Sequence, residues 1–141
     1  MKRNGEIIII EDDEDDRLLL QEIFESLNYS NKLTFIEDPM QAVSYLSDPL
    51  VNPFIILSDI NMPKMDGFEL REQILADHNL SIKCVPYIFL STSKAPENVF
   101  KAYGCHAQGY FKKEHDYNAF KTLIQNIVEY WRVSLTPANS L

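Results

Sequence analysis

Hydrophobic and polar positions along the chain fall into two alternating patterns, one typical of strands and one of helices. Short, nearly unbroken runs of branched and aromatic residues predict strands that are covered on both faces. One further run alternates apolar and polar residues and also fits a strand. The predicted strands are Glu6–Ile10, Lys32–Ile36, Phe54–Ser58, Val85–Leu90 and Ala107–Phe111.

Between the strands, apolar residues recur at the spacing of the buried face of an amphipathic helix. The first helix is predicted from Arg17, where leucines begin to repeat. Asp38 and Pro39 supply an N-cap and a first-turn proline for the second helix, which runs to Leu46. The third helix begins at Asp66 or Gly67, the fourth runs from Pro96 to Gly104, and the fifth carries the apolar stripe from Phe120 to Trp131.

Five strands alternating with five helices predict a parallel sheet with right-handed crossovers and helices on both faces. The expected fold class is α/β, a flavodoxin-like (βα)5 three-layer sandwich whose five-stranded sheet has the order 2-1-3-4-5. We expect one domain over residues 1–133 and a flexible tail over residues 134–141, where proline and small polar residues dominate.

The amino-acid composition argues against several classes of function for this chain. The chain has 141 residues, enough for one domain with its own core. Acidic residues outnumber basic ones by 21 to 13 and no Lys/Arg cluster occurs, which argues against direct nucleic-acid binding. Cys84 and Cys105 suit free, reduced thiols rather than a disulfide scaffold. No apolar segment is long enough for a signal peptide or membrane span, so we expect a cytoplasmic protein.

The predicted strand order brings polar strand ends together. Strands one, three, four and five are neighbours, and their carboxyl ends carry Glu11 with Asp12, Asp59, Ser91 and Lys113. Clustered carboxylates repel one another unless a cation neutralises them, and oxygen ligands suit Mg²⁺. A carboxylate beside Mg²⁺, a hydroxyl and an ammonium group is suited to receive a phosphoryl group, with Asp59 as the nucleophile.

Simpler interpretations apply to the other polar residues. Asp13 is a candidate helix cap, whereas Asp15 and Asp16 are predicted to be surface charge. The acidic run lacks the glycine of a calcium loop, and the histidines have no metal-ligand spacing. An aspartyl phosphatase would need a second aspartate where Asn61 stands, and a flavin carrier would need a phosphate-binding loop in place of the acidic run.

The segment from Asp59 to Gly67 reads Asp-Ile-Asn-Met-Pro-Lys-Met-Asp-Gly. Together with the acidic pair after the first strand, the Ser after the fourth and the Lys after the fifth, it resembles the response regulator receiver domain of two-component signalling. The resemblance extends from Glu6 to about Trp131. It implies a stand-alone response regulator that accepts phosphate on Asp59 from a sensor histidine kinase or a histidine phosphotransfer protein. Such a protein catalyses its own phosphorylation and dephosphorylation rather than the turnover of a small-molecule substrate.

The resemblance also implies roles for the neighbouring residues. Mg²⁺ would be bound by Asp12, Asp59 and the backbone carbonyl of Asn61, with Glu11 acting through a metal-bound water. Ser91 and Lys113 would contact the phosphoryl group.

Ser91 and Tyr110 match the family's switch pair. The signal would leave through the face of the fourth helix, fifth strand and fifth helix, which includes Tyr103 and parts of Lys121–Arg132. This face would bind a downstream protein target, and it often supports dimers in the family.

Two departures from the family pattern leave alternatives open. Glu114 stands where proline usually follows the lysine, and Thr92 stands where a small residue usually follows the hydroxyl. Thr92 would be the working hydroxyl if the alignment slipped by one position. A degenerate receiver that acts as a phosphate-independent interaction module is the alternative function.

Overall fold

The computed structural model describes residues 4–137 and contains five parallel strands near the predicted positions. The strands are β1 (Glu6–Ile10), β2 (Leu33–Ile36), β3 (Pro53–Ser58), β4 (Tyr87–Ser91) and β5 (Gly109–Lys112). They pair in the order β2-β1-β3-β4-β5, which confirms the predicted fold class. The predicted flexible tail stays a prediction, because residues 138–141 lie outside the described part of the chain.

The described residues form six α-helices rather than the predicted five. They are α1 (Glu14–Leu27), α2 (Ala42–Leu46), α3 (Gly67–Ala76), α4 (His78–Ser81), α5 (Pro96–Gly104) and α6 (Tyr117–Val133), and a 3-10 turn over Pro39–Gln41 precedes α2. The unpredicted helix is α4. It forms because Asp77 adopts an extended conformation that ends α3, while its side chain accepts a hydrogen bond from the Asn79 backbone and caps a new turn.

Two predicted helix ends need correction. Helix α1 begins at Glu14 rather than Arg17, because Asp13 caps it by accepting a 3.0 Å hydrogen bond from the Asp16 backbone. Acidic residues in a first turn interact favourably with the helix dipole, so the acidic run continues into the helix. Gly104 is the last residue of α5, as predicted for a C-terminal glycine. The left-handed conformation that often follows a helix is adopted by His106 instead, with φ of 60°.

The sheet is covered on both faces, as the apolar strands predict. Ile8 and Ile10 of β1 point toward a core formed with α2, α3 and α5. Ile7 and Ile9 point to the opposite face, where α1 and α6 pack. This alternation fixes the strand positions and leaves the carboxyl ends of the strands as the place where polar side chains meet. None of the helices within residues 4–137 is both long and apolar enough to cross a membrane.

Candidate functional site

The pairing of β1 with β3 places two acidic residues side by side at the carboxyl edge of the sheet. Ile10 is in register with Ser58, and the Asp59 backbone N–H donates a 3.0 Å hydrogen bond to the Ile10 carbonyl. Glu11 and Asp59 therefore leave adjacent strands at the same level. Glu11, Asp12 and Asp59 each offer one carboxylate oxygen, and these oxygens lie within 4.8 Å of one another.

Lys113 reaches into this acidic group from the end of β5. Its Nζ lies 2.6 Å from Glu11 Oε1, 2.8 Å from Asp16 Oδ2 and 3.6 Å from Asp59 Oδ1. The structure thus brings Glu11, Asp12, Asp59 and Lys113 together, as the strand order predicts. The prediction that Asp16 is surface charge is wrong. Because α1 begins at Glu14, Asp16 lies in its first turn and close enough to pair with the lysine.

Burial and neighbouring charges shift the pKa values of Lys113 and Glu11. Desolvation raises the pKa of Glu11, and the charge of Asp59 adds to this, so the two effects outweigh the hydrogen bond from Lys113. Burial disfavours the charged form of Lys113, but hydrogen bonds to Asp16 and Glu11 and the charge of Asp59 raise its pKa overall. The lysine therefore stays charged within an excess of carboxylates.

The turn between β1 and α1 is held by an arginine that the sequence reasoning missed. Arg17 Nη1 donates hydrogen bonds of 3.0 Å and 2.7 Å to the carbonyls of Glu11 and Asp12. Its Nη2 also pairs with Glu37 Oε2 at 3.1 Å, after the end of β2. The guanidinium group occupies two backbone acceptors of the turn, which fixes the backbone that carries the acidic pair. The available signal was a cation five residues after the acidic pair, in the predicted first helix.

The loop after β3 packs tightly against the start of α3. The Ile60 N–H donates a 2.8 Å hydrogen bond to Asp59 Oδ1, and the Gly67 N–H donates one of 2.8 Å to the Ile60 carbonyl. A Cβ on Gly67 would overlap the Asp59 carbonyl oxygen, so a side chain there would require the backbone to shift. Asp66 is the N-cap of α3. Its side chain accepts a hydrogen bond from the Glu69 N–H, and the Glu69 side chain accepts one from the Asp66 N–H, which forms a capping box.

The two hydroxyl residues at the end of β4 differ in burial, and the role of Ser91 as the hydroxyl of the site stays a prediction. Ser91 ends β4 and is fully buried, and its Oγ accepts a 3.1 Å hydrogen bond from the Ser93 N–H. The Thr92 side chain is exposed to solvent. Tyr110 contacts the same loop, because its hydroxyl donates a 2.7 Å hydrogen bond to the Ser93 carbonyl. Ser91 and Tyr110 are thus connected through Ser93.

Glu114 does not displace the lysine. Residues 4–137 contain no cis peptide bond, and the Lys113 N–H donates a 2.8 Å hydrogen bond to the Ser91 carbonyl, which continues the pairing of β4 with β5. The Glu114 side chain is exposed. Asn61 is also exposed, and the role of its backbone carbonyl as a metal ligand stays a prediction.

The donor set fits a hard divalent cation. All three candidate side-chain ligands are carboxylates, and Glu11 is 2% exposed, so much of the local negative charge is shielded from water. Oxygen-rich sites of this kind suit Mg²⁺ or a similar ion, and a buried excess of negative charge is stabilised by one.

Comparison with known proteins agrees with this fold. The probable methanogenesis regulatory protein FilR2 of Methanothrix harundinacea is 28% identical over 129 residues, covering 89% of this chain and 82% of FilR2. The phosphorylated cyanobacterial phytochrome response regulator RcpA superposes with a TM-score of 0.84 at 28% identity, covering 95% of this chain and 99% of RcpA. The Mn(2+)-bound form of response regulator Rcp1 of Synechocystis superposes with a TM-score of 0.80 at 27% identity, covering 94% and 97%.

The match to a family model covers most of the described sheet and helices. Residues 7–125 match the response regulator receiver domain. This range includes β2 to β5, all of β1 except Glu6, the acidic cluster and Lys113. The chain therefore belongs to the response regulator receiver domain family.

Proposed function

We propose that the protein is a single-domain response regulator that accepts a phosphoryl group on Asp59. The donor is a phosphohistidine of a sensor histidine kinase or a histidine phosphotransfer protein, and the reaction depends on Mg²⁺. The observation that carries this proposal is the surroundings of the Asp59 carboxylate, which lies within 4.8 Å of the Glu11 and Asp12 carboxylates and 3.6 Å from the Lys113 ammonium group. The phosphorylated state of RcpA and the Mn(2+)-bound form of Rcp1 support it.

In the transfer step, a carboxylate oxygen of Asp59 attacks the phosphorus of the phosphohistidine. The new bond joins this oxygen to phosphorus, the phosphorus–nitrogen bond breaks, and the imidazole of the donor keeps the electron pair. Lys113, 3.6 Å from Asp59 Oδ1, offsets the charge of the arriving oxygens. The Ser91 hydroxyl donates a hydrogen bond to one of them. Mg²⁺ held by Asp12, Asp59 and the Asn61 carbonyl, with Glu11 acting through water, would supply further positive charge.

The signal leaves the site through the loop after β4. When the Ser91 hydroxyl turns toward the phosphoryl group, it loses the hydrogen bond that it accepts from the Ser93 N–H in the present conformation. Tyr110, bonded to the Ser93 carbonyl, moves with that loop. The affected face comprises α5, β5 and α6, where the side chains of Phe100 and Tyr103 are 84% and 55% exposed. We infer that this face binds the downstream protein target, or a second copy of the chain, when the phosphorylated population rises.

Intact-protein mass spectrometry tests the phospho-acceptor. The protein is incubated with acetyl phosphate, with and without Mg²⁺, alongside Asp59→Asn and the matched control Asp15→Asn. Asp15 is an exposed acid of the same cluster region, so its variant makes the same change in charge. A phosphoryl-sized mass gain that requires Mg²⁺ and Asp59, and survives in Asp15→Asn, is the expected result.

One observation favours the alternative, a phosphate-independent interaction module. Lys113 Nζ lies closer to Glu11 and Asp16 than to Asp59, so its charge is already compensated by other partners. If the folded protein binds Mg²⁺ but gains no phosphoryl group from acetyl phosphate or from a phosphorylated kinase, this alternative becomes the better description.

A further inference from the structure

Asp16 is an unexpected partner of the lysine in the site. Lys113 Nζ is 2.8 Å from Asp16 Oδ2, and this contact joins the first turn of α1 to the end of β5. The Lys113 side chain is only 8% exposed, so the contact is largely shielded from bulk water. Neither the resemblance to receiver domains nor the proposed transfer step assigns Asp16 a role.

The Lys113 ammonium group has three N–H donors, and the three carboxylates around it do not share them equally. Glu11 and Asp16 lie at hydrogen-bond distances of 2.6 Å and 2.8 Å, whereas Asp59 at 3.6 Å is beyond a good hydrogen bond. The phospho-acceptor is therefore the most weakly held of the three carboxylates. An anion that arrives on Asp59 must compete for the lysine with the other two.

Glu11 and Asp16 differ in how easily they can release the lysine. The Glu11 side chain is 2% exposed and has no access to bulk water, so losing its cation would leave a buried carboxylate unpaired. The Asp16 side chain is 35% exposed, so water can replace the ammonium group there. Asp16 is thus the partner that can be exchanged for a new anion.

We propose that Asp16 is a positioning residue that holds Lys113 away from the phospho-acceptor until a phosphoryl group displaces it. This inference rests on the proposed phosphorylation of Asp59. In the resting protein the Asp16 carboxylate occupies one N–H of the lysine. In the phosphorylated protein that N–H turns to a phosphoryl oxygen, and Asp16 returns to water. Asp16 therefore opposes the phosphorylated state by competing for the same cation.

Beryllium fluoride, which imitates a phosphoryl group on a carboxylate, measures this competition at equilibrium. Its affinity in the presence of Mg²⁺ is determined by calorimetry for the parent, Asp16→Asn, Asp16→Glu and Asp15→Asn. Asp16→Asn should bind about fivefold more tightly, because a partly exposed ion pair no longer has to be broken. Asp16→Glu restores the competing carboxylate and should return toward the parent affinity, and Asp15→Asn should match the parent.

Unchanged or weaker binding in Asp16→Asn would overturn the proposal, since it would mean that Asp16 leaves Lys113 unaffected or helps to place it. An equal gain in Asp15→Asn would also overturn it, by showing that only general charge matters. A parent that binds no beryllium fluoride contradicts the proposed function itself.

A second measurement needs neither phosphate nor metal. In Mg²⁺-free buffer, the Asp16→Asn substitution is made both in the parent and in Lys113→Met, and the two changes in melting temperature are compared. The substitution should lower the melting temperature more, or raise it less, in the parent, because only the parent loses an ion pair. Equal changes in the two backgrounds would show that Asp16 does not hold the lysine in solution. This comparison decides the contact between Asp16 and Lys113 independently of the proposed function.

Discussion

At the scale of single residues, the site is a balance between one ammonium group and several carboxylates. Lys113 has contacts with Glu11, Asp16 and Asp59, and Glu11 is almost fully buried. A buried carboxylate that loses its cation must either stay charged in a poorly solvated place or take up a proton. Burial already raises the pKa of Glu11, because the charged form of this carboxyl group is poorly solvated there.

Lys113→Met should therefore destabilise the protein. We expect the free energy of unfolding in Mg²⁺-free buffer to fall by about 3 kcal/mol, as is typical when one partner of a buried pair is removed. Urea denaturation measures the change, and Lys112→Met, which alters a neighbouring and partly exposed lysine, is the control. Equal losses for the two variants would contradict the buried pairing.

Metal binding should also be visible as stability. Mg²⁺ at 100 times its dissociation constant should stabilise the parent by about 2.7 kcal/mol, because only the folded chain assembles the ligands. Asp12→Asn removes one carboxylate of the cluster and should lose most of this gain. Asp15→Asn should keep it. A Mg²⁺-induced rise in melting temperature that is the same in Asp12→Asn and in the parent would argue against this ligand set.

The sequence predicted some of these residues and not others for a clear physical reason. Glu11, Asp12, Asp59 and Lys113 follow apolar strands directly, and the sheet order decides which of them meet. Asp16 stands inside a run of acids, where the sequence does not distinguish a solvated carboxylate from one turned inward. Its role depends on where α1 begins, and helix ends are the least predictable part of a pattern.

At the scale of elements, the close approach of α3 to the end of β3 shapes the acceptor loop. The helix begins directly against the Asp59 carbonyl, and only a residue without a side chain leaves the necessary space. Lys64 in the same loop adopts a left-handed conformation with φ of 70°. The conformation of the loop after Asp59 therefore depends on the packing of α3 as well as on β3.

Gly67→Ala should disturb this junction. The added methyl group would overlap the Asp59 carbonyl oxygen, so the loop or the helix must shift, at a cost of about 1–3 kcal/mol. We also expect weaker Mg²⁺ binding, measured by the Mg²⁺-dependent rise in melting temperature. Gly104→Ala is the control, because a Cβ there meets nothing within 4 Å and should be neutral or stabilising. Similar losses in both variants would contradict the steric explanation.

The elements differ in how well the sequence predicts them. The central strands β1, β3 and β4 are buried on both faces, so their apolar runs mark them to within a few residues. Helix α4 has four residues and no apolar period of its own. It depends on Asp77 ending one helix and capping the next, which a periodic pattern cannot reveal.

At the scale of the whole molecule, the two cysteines report on the integrity of the core. Cys84 is exposed, whereas Cys105 is buried and its burial raises the pKa of the thiol. A thiol reagent should label one cysteine rapidly in the native protein and both after denaturation, because the thiolate is the reactive form. Labelling is followed by absorbance, and Cys84→Ser should abolish the rapid phase. Rapid labelling of both cysteines in the native parent would show that the core opens around Cys105.

The whole fold follows from the sequence more securely than the details of the site. Alternation of strands with amphipathic helices allows few topologies, and the order 2-1-3-4-5 is the common one at this size. The arrangement of carboxylates around Lys113 could not be predicted, because it depends on side-chain distances that differ by 1 Å or less.

Glu11 and Lys113 are 102 positions apart, at the ends of the first and last strands. A chain still emerging from the ribosome therefore carries all its acidic site residues long before it carries the cation that balances them. Until β5 joins the sheet, the acidic residues have no lysine partner, and the first four strands end in unbalanced negative charge. The site is thus complete only after β5 has been synthesised and has joined the sheet, and a chain terminated before Lys113 lacks the cation of the site.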